Sequence, residues 1–240
     1  MEQFKIKQDG FKEIKKAILI KSLPILILSA IAGIVMSYFN ASPDDVYFLP
    51  FVLPFLIPLV AGALLFGITK GLDRQKELFE SYLITFDNDC IIREQLNTST
   101  ITISNAEITE IIKKKNGSYS IKGNSNIHVI EVPAQLLDIE RFEKLLTEIK
   151  PISERNNESI LKKYSGMLSL ITIALMVAVY ISNNKIVVGI SGILLLAIMA
   201  YSFIAIRRNK NIDNKTKQGS WWVLLVVTSI IAIMYFKLTS

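Results

Sequence analysis

The chain has 240 residues, of which 51% are hydrophobic and 20% are charged, and its formal net charge is +6. A typical soluble domain is about 45–50% apolar and about 25% charged, so this composition is too apolar for a single soluble core. Cys90 is the only cysteine, which excludes an intrachain disulfide. The basic residues cluster beside apolar segments, so the positive charge indicates membrane topology rather than a nucleic-acid partner.

Five apolar segments approach the length of roughly 20 residues that a helix needs to cross a bilayer. They predict transmembrane helices at 17–39, 48–68, 164–181, 186–206 and 221–236. The last segment is the shortest, but it begins with Trp221-Trp222, a residue type typical of the headgroup region. We therefore expect a membrane protein with an all-α transmembrane part of about five helices.

These helices divide the chain into seven parts. They are an amino-terminal segment (1–16), helices 1 and 2 (17–70), a polar domain (71–150), a linker (151–163), helices 3 and 4 (164–206), a loop (207–219) and the last helix with the carboxyl terminus (220–240).

The basic residues near the predicted spans all fall on one side of the membrane. They are Lys5, Lys7, Lys12, Lys15, Lys16, Lys70, Arg74, Lys76, Lys162, Lys163, Arg207, Arg208, Lys210, Lys215 and Lys217. The opposite turns carry two aspartates in one case and Lys185 in the other. Lysine and arginine are retained in the cytoplasm. The sequence therefore predicts a multi-pass protein of the cell membrane, with the amino terminus and polar domain in the cytoplasm and the carboxyl terminus outside.

Within residues 71–150 the apolar residues recur with a period of two, which is typical of strands. The predicted strands are 82–86, 90–93, 100–103, 108–114, 119–121 and 127–132. Asn116-Gly117 favours a hairpin with a type I′ turn. Apolar residues from Leu136 to Ile149 then follow helical spacing, with Asp138 as the expected cap. The pattern predicts an α+β domain, an antiparallel strand meander with a carboxy-terminal helix.

The segment before the first span also alternates, in Phe4-Lys5-Ile6-Lys7, and a turn at Asp9-Gly10 follows. One interpretation is a strand that pairs with the edge of the polar domain. The alternative is an interfacial segment whose apolar side chains enter the headgroup region.

The run from Ile101 to Ile112 (ITISNAEITEII), the Val132-Pro133 step and the final helix resemble the bacterial pleckstrin-homology-like (PH-like) domains of the YcxB-like kind. In that family a pair of membrane helices typically precedes the domain. Residues 104–108 resemble the linker into the central hairpin, and residues 132–137 resemble the step into the helix. The resemblance covers about residues 1–150. It implies a PH-like fold and supplies no catalytic residues.

Motifs for chemistry are absent from the sequence, which has no Walker loop, GxSxG, dinucleotide fingerprint or HExxH. The lone His128, on a predicted strand, has no second histidine or thiol cluster with which to complete a metal site. We therefore expect no catalytic residues, no cofactor and no metal. Within the predicted spans Lys21 is the only ionisable residue, and it lies near the cytosolic end, where it can snorkel. Ion-coupled transport is therefore not expected.

Small residues spaced for close helix packing occur in the first two spans, and the contact they predict is within the chain or between protomers. They are Ser29, Gly33, Ser37, Ala63 and Gly67. Pro50, Pro54 and Pro58 share one face of the second span. Either Pro50 begins that helix and Pro54 and Pro58 are tolerated kinks, or the three line a permeation path.

Lys113-Lys114-Lys115, at the predicted hairpin tip, is a candidate contact for anionic lipid or a partner, although charge at a tip also serves solubility. The sequence favours a non-catalytic scaffold or regulatory protein whose cytosolic domain binds a protein partner or a lipid surface, with homo-oligomerisation left open. The alternatives are a small transport or permeation protein and an immunity protein against a membrane-directed toxin.

Overall fold

The computed structural model describes residues 1–41, 43–124, 129–154 and 164–239, with only the backbone at 43–50, 53 and 165. The chain forms two compact units, which are described separately. The sheet unit contains Met1–Lys16, Leu72–Glu158 and Ala205–Gly219, and the helix unit contains Ala17–Gly71, Ser159–Ile204 and Ser220–Ser240.

Helices dominate the chain. Their bounds are α1 Gly10–Phe39, α2 Pro43–Glu80, α3 Ile139–Ile149, α4 Ser165–Ile181, α5 Lys185–Arg208, α6 Asn214–Gly219 and α7 Trp222–Thr239. Within the described residues, four helical segments are long and apolar enough to cross a membrane, at Gly10–Phe39, Pro54–Glu80, Lys185–Arg208 and Asn214–Thr239. This confirms a multi-pass helical membrane part. The helix α4, with 17 residues, is shorter, at about 25 Å for a rise of about 1.5 Å per residue.

The first two helices extend further than their hydropathy predicts. The helix α1 begins at Gly10 rather than at 17, and α2 spans Pro43–Glu80 rather than 48–68. Pro50 therefore lies inside α2, so the interpretation that Pro50 begins the helix is wrong, and the helix continues past Pro54 and Pro58. The polar ends stay helical because they bury isolated apolar residues. The rings of Phe11 and Phe79 lie 6.0 Å apart.

In the helix unit, α4, α5 and α7 share a small apolar core. Val179, Leu195 and Ile230, one from each helix, are fully buried in it. Gly192 of α5 faces Met234 so closely that a Cβ at this position would clash with the methionine side chain. A larger residue at this position would therefore require the Met234 side chain to move.

Among the residues that the structure describes, the sheet unit contains eight strands. They are β1 Glu2–Lys5, β2 Leu83–Asp87, β3 Cys90–Glu94, β4 Ile101–Ser104, β5 Glu110–Lys113, β6 Tyr119–Lys122, β7 Val129–Val132 and β8 Ile152–Ser153. One sheet has the order β1-β2-β3-β4 and is antiparallel throughout. The other has the order β7-β6-β5-β8, in which β8 is parallel to β5 and the other pairs are antiparallel. The strands and α3 confirm the predicted α+β class.

Aromatic side chains from both sheets meet the helix α3 in the core. The Phe142 ring is fully buried and makes edge-to-face contacts with Phe4, Phe86 and Tyr119, at centroid distances of 5.4, 5.5 and 5.6 Å. Leu146, one turn later, is also fully buried. Each such side chain contributes about 1.5–3 kcal/mol by burial. The apolar face of α3 therefore joins the two sheets.

The amino-terminal segment pairs with the sheet, as one of the two interpretations predicted. The strand β1 is antiparallel to β2, with Phe4 opposite Ile84, and it covers Glu2–Lys5 rather than 4–7. Ile6 then bridges Leu136, and the Lys7 amide donates to the Gln135 carbonyl at 2.9 Å. Phe4 is therefore in the protein core and not in a headgroup region.

One local prediction is wrong and another holds only in part. The hairpin turn is not type I′, because of the two residues predicted at its centre, Asn116 and Gly117, only Gly117 has a positive φ (+78°). The Gly117 amide donates to the Lys114 carbonyl, as in a type I turn followed by a glycine bulge. Asp138 is the N-cap residue of α3, as predicted, but it is left-handed (φ 54°) and its side chain makes no capping hydrogen bond. The helix begins at Ile139, directly after this cap, and Leu136 forms the bridge with Ile6.

Candidate functional site

The most distinctive site of the sheet unit is the place where the segment between α5 and α7 binds the sheets. We call Asn209–Thr216 the strap. The strap belongs to the sheet unit and contacts α2, β3, the β3–β4 loop and β7. The sequence predicted only a cytosolic loop at 207–219. The basic residues of this loop indicate membrane topology, and they do not indicate which surface of the protein the loop contacts.

Arg93 forms the centre of this site. In β3 it lies on the same face as Ile91, one repeat of the two-residue period away, and both side chains are fully buried. Its Nη1 donates to Thr98 Oγ1 at 2.6 Å, and its Nη2 donates to the Lys210 carbonyl at 3.2 Å and to Asn211 Oδ1 at 3.0 Å. Burial lowers the pKa of Arg93, since a charge without water around it is disfavoured.

Two more contacts fix the strap, one to the edge strand β7 and one to the β3–β4 loop. Asn211 Nδ2 donates to the Val129 carbonyl at 2.9 Å, and the Asn214 amide donates to the Asn97 carbonyl at 2.8 Å. Val129 is in β7, which lies at the edge of its sheet, so its carbonyl would otherwise lack a strand partner. Covering an edge in this way also protects it from pairing with another chain.

An ion pair with α2 holds the end of the strap. Arg74 binds Asp213 and also donates to Thr216 Oγ1 at 3.1 Å. Asp213 is only 7% exposed and accepts from the Thr216 amide at 3.1 Å, so it caps α6. Burial alone would raise the pKa of Asp213, but the hydrogen bonds from Thr216 and Arg74 outweigh it and lower the pKa below its ordinary value.

The hairpin-tip lysines are largely engaged within the domain. Lys113 Nζ lies 2.7 Å from Glu143 Oε1, which raises the pKa of the lysine and lowers that of the glutamate. Lys114 pairs with Glu131, whereas Lys115 is exposed. The structure therefore does not present the three lysines as one uniform basic patch.

The predicted small-residue faces are loosely surrounded in the helix unit. Gly33 and Ser37 line a cavity of about 360 Å³ together with Val52, Leu56 and Val60 of α2. A Cβ added at Gly33 or at Gly67 would meet no atom within 4 Å. Two hydroxyls bond within their own helix, Ser29 to the Ile25 carbonyl and Ser37 to the Gly33 carbonyl. Ala63 and Gly67 are exposed. Close packing in this unit occurs instead at Gly192, which no small-residue pattern in the sequence indicated.

Two features of the sequence could have indicated that Arg93 and Asp213 belong to a site. The alternation of β3 places Arg93 on the core face beside Ile91, which is unusual for a charged residue. Asp213 is the only acidic residue between Arg207 and Gly219. Neither signal names a partner, because the strap is distant in sequence from α2, β3 and β7.

Within the parts of the chain that the structure describes, no three histidine, cysteine or acidic side chains come together as a metal site would require. His128 lies outside the described residues. No protein-family model, no curated protein and no solved structure matches the chain.

Proposed function

We propose that the chain is a non-catalytic multi-pass protein of the cell membrane, with a scaffold or regulatory role. Its cytosolic PH-like domain binds a protein partner. The observation that carries the proposal is the attachment of the strap to Arg93, Asn97 and Arg74, because it connects the segment between two membrane helices to the binding domain. An event at the domain can thereby change how that segment is held.

The PH-like assignment has support from the order of elements. Seven strands of the two sheets precede the helix α3, whose Phe142 and Leu146 fill the space between the sheets, and the short β8 follows it. A 3-10 turn at Asn105–Glu107 leads from the first sheet to the second, where the sequence resemblance places a linker. The step at 132–137 leads from β7 to α3.

Five membrane crossings are supported by the packing of the helix unit. Lys237 Nζ near the end of α7 donates to the carbonyls of Tyr180 and Ser182, at 2.6 and 3.0 Å, so the carboxyl ends of α4 and α7 are adjacent. The Phe203 ring of α5 lies 5.6 Å from Trp221, while Gly192 meets Met234, so α5 and α7 are antiparallel. Three helices that pack in alternating directions favour a shared path across the bilayer, including the short α4.

Cysteine labelling of the full chain tests this topology. On a Cys90→Ser background, single cysteines at Ser42, Asn184 and Ser240 should react with an impermeant reagent from outside intact cells. A cysteine at Lys215, an exposed strap residue, should react only after lysis. If the cysteine at position 240 is labelled only after lysis, α7 does not cross the membrane.

A protein partner is favoured over a lipid surface by the charges at the hairpin tip. Lys113 and Lys114 are neutralised by Glu143 and Glu131, which leaves Lys115 as the exposed lysine of the run. Attraction to anionic lipid is about 1 kcal/mol per basic residue near the surface, so a single lysine gives little affinity.

Photocrosslinking in native membranes tests for the partner. A photoreactive amino acid would be placed at Lys115, with the exposed Gln3 of β1 as the matched control position. We expect a protein adduct of one defined mass at Lys115 and none of that mass at Gln3. Adducts with lipid alone would show a lipid-binding domain, and identical adducts at both positions would contradict a specific partner surface.

A further inference from the structure

Arg93 is a buried cation whose hydrogen-bond acceptors are all neutral. They are the Lys210 carbonyl and the side-chain oxygens of Gln95, Thr98 and Asn211. Within the described residues Arg93 has no ion pair. A buried charge is normally compensated by an opposite charge, so the charge of Arg93 is uncompensated among the residues that the structure describes.

Of the two donors on the Nε–Nη2 edge of the Arg93 guanidinium, only Nη2 makes hydrogen bonds among the described residues. Nη2 donates to both strap acceptors, whereas Nε, which is equally buried, has no hydrogen-bond partner among the described residues. The Nε and Nη2 donors of arginine together match the two oxygens of a carboxylate. Asn211 offers a single oxygen to this edge and therefore acts as a weaker substitute for an acidic group.

The present occupant also shows which kind of ligand fits. It is a peptide, held by a carbonyl at Lys210, by the Asn211 side chain and by the backbone amide of Asn214. We propose that Arg93 recognises an acidic peptide segment of a partner protein, whose aspartate or glutamate replaces Asn211 and displaces the strap. This inference rests on the proposed function and names the partner chemistry for the same site.

Displacement follows from the geometry because Nη2 is already bound by the strap. A carboxylate on the Nε–Nη2 edge takes the place of Asn211 Oδ1, and the Asn211 bond to Val129 is lost with it. The strap then keeps the bond from the Asn214 amide to Asn97 and the contacts of Arg74 with Asp213 and Thr216. Partner binding and strap binding are thus linked equilibria, and each opposes the other.

Peptide binding to the full chain in maltoside micelles tests the proposal. The receptor is the Asn211→Ala variant, in which the internal competitor is weakened. Three labelled peptides of residues 207–219 serve as probes: the natural sequence, one with Asn211→Asp and one with Asn214→Asp as the charge-matched control. The side chain of Asn214 makes no described contact with the sheets, so its substitution changes only the net charge.

We expect the Asn211→Asp peptide to bind at least about tenfold tighter than the other two by fluorescence anisotropy, which corresponds to about 1.4 kcal/mol. Adding Arg93→Gln to the receptor should abolish the difference. Equal binding of all three peptides overturns the proposal, and so does displacement by inorganic phosphate without any preference among the peptides. The comparison of peptides needs only the Asn211→Ala receptor, so it stands even where Arg93→Gln does not fold.

The crosslinking experiment does not involve Arg93. A defined adduct together with equal peptide binding would therefore leave the proposed function intact and reject only the acidic ligand.

Discussion

Removing the ring of Phe4 should destabilise the whole sheet unit, although this residue lies in a four-residue strand at the amino terminus. Phe4 is 4% exposed, and its ring contacts Phe86 at 5.8 Å and Phe142 at 5.4 Å. Truncation of a buried phenylalanine to alanine costs about 3–5 kcal/mol, which includes the cavity that remains. We therefore expect Phe4→Ala to lower the free energy of unfolding of the sheet unit by about this amount.

Hydrogen exchange of the full chain in detergent measures this effect. A loss of about 3–5 kcal/mol should speed exchange of β2 amides roughly 100- to 4,000-fold, at about 1.4 kcal/mol per factor of ten. Gln3→Ala is the matched control, since Gln3 is the exposed neighbour on the same strand. If Phe4→Ala and Gln3→Ala differ by less than about 0.5 kcal/mol, Phe4 is not part of the core.

Three further outcomes are expected. The folded-state pKa of Asp213 lies below its ordinary value of 3.8, so its pairing with Arg74 stabilises the bound strap above that pH and is lost as the pH falls below it. The distance between fluorescent dyes on the strap and on the β3–β4 loop should therefore increase at this low pH in the natural chain. The Asp213→Asn variant should already weaken attachment of the strap at neutral pH, by up to about 1 kcal/mol. Gly117→Ala places a Cβ at φ +78° and should cost about 1–2 kcal/mol, measured as a fall in the Tm of the sheet unit, and an unchanged Tm would contradict the turn geometry. The Lys7 amide, which donates to Gln135, should exchange slowly, and exchange at the rate of a free terminus would exclude the bridge that follows β1.

Helices and strands with a regular spacing of apolar residues could be predicted from the sequence. The two-residue period located β2 to β6 to within a few residues, and the helical spacing of Phe142 and Leu146 located α3. Periodicity reports which face is buried, and the sheets bury one face of each strand. The ends of α1 and α2 were not predicted, because hydropathy detects long apolar runs and does not detect single buried contacts such as that of Phe11 with Phe79.

The strap could not be predicted from its sequence. Asn211 and Asn214 are ordinary turn residues, and their role depends on which carbonyls of β7 and of the β3–β4 loop lie opposite them. Arg93 was closer to prediction, since alternation places it on a core face. Only a tertiary structure shows that two of its acceptors come from Lys210 and Asn211, more than a hundred residues away in the chain.

A fragment of residues 72–158 should fold poorly, although it contains seven of the eight strands. Without β1 it loses Phe4, whose burial alone is worth about 3–5 kcal/mol against a total stability of about 5–15 kcal/mol for a domain. Without the strap, Arg93 loses two acceptors and the Val129 carbonyl loses its donor.

Joining residues 1–9 to the fragment through a flexible linker should restore β1 and with it cooperative thermal unfolding. The matched control is the same fusion with Phe4→Ala, which keeps the length and charge of the added segment but lacks the buried ring. Cooperative unfolding of the bare fragment at the Tm of the fusion would show that 72–158 is self-sufficient. The amino terminus would then be an accessory to the domain, and a partner bound at the sheets would have no direct connection through β1 to α1.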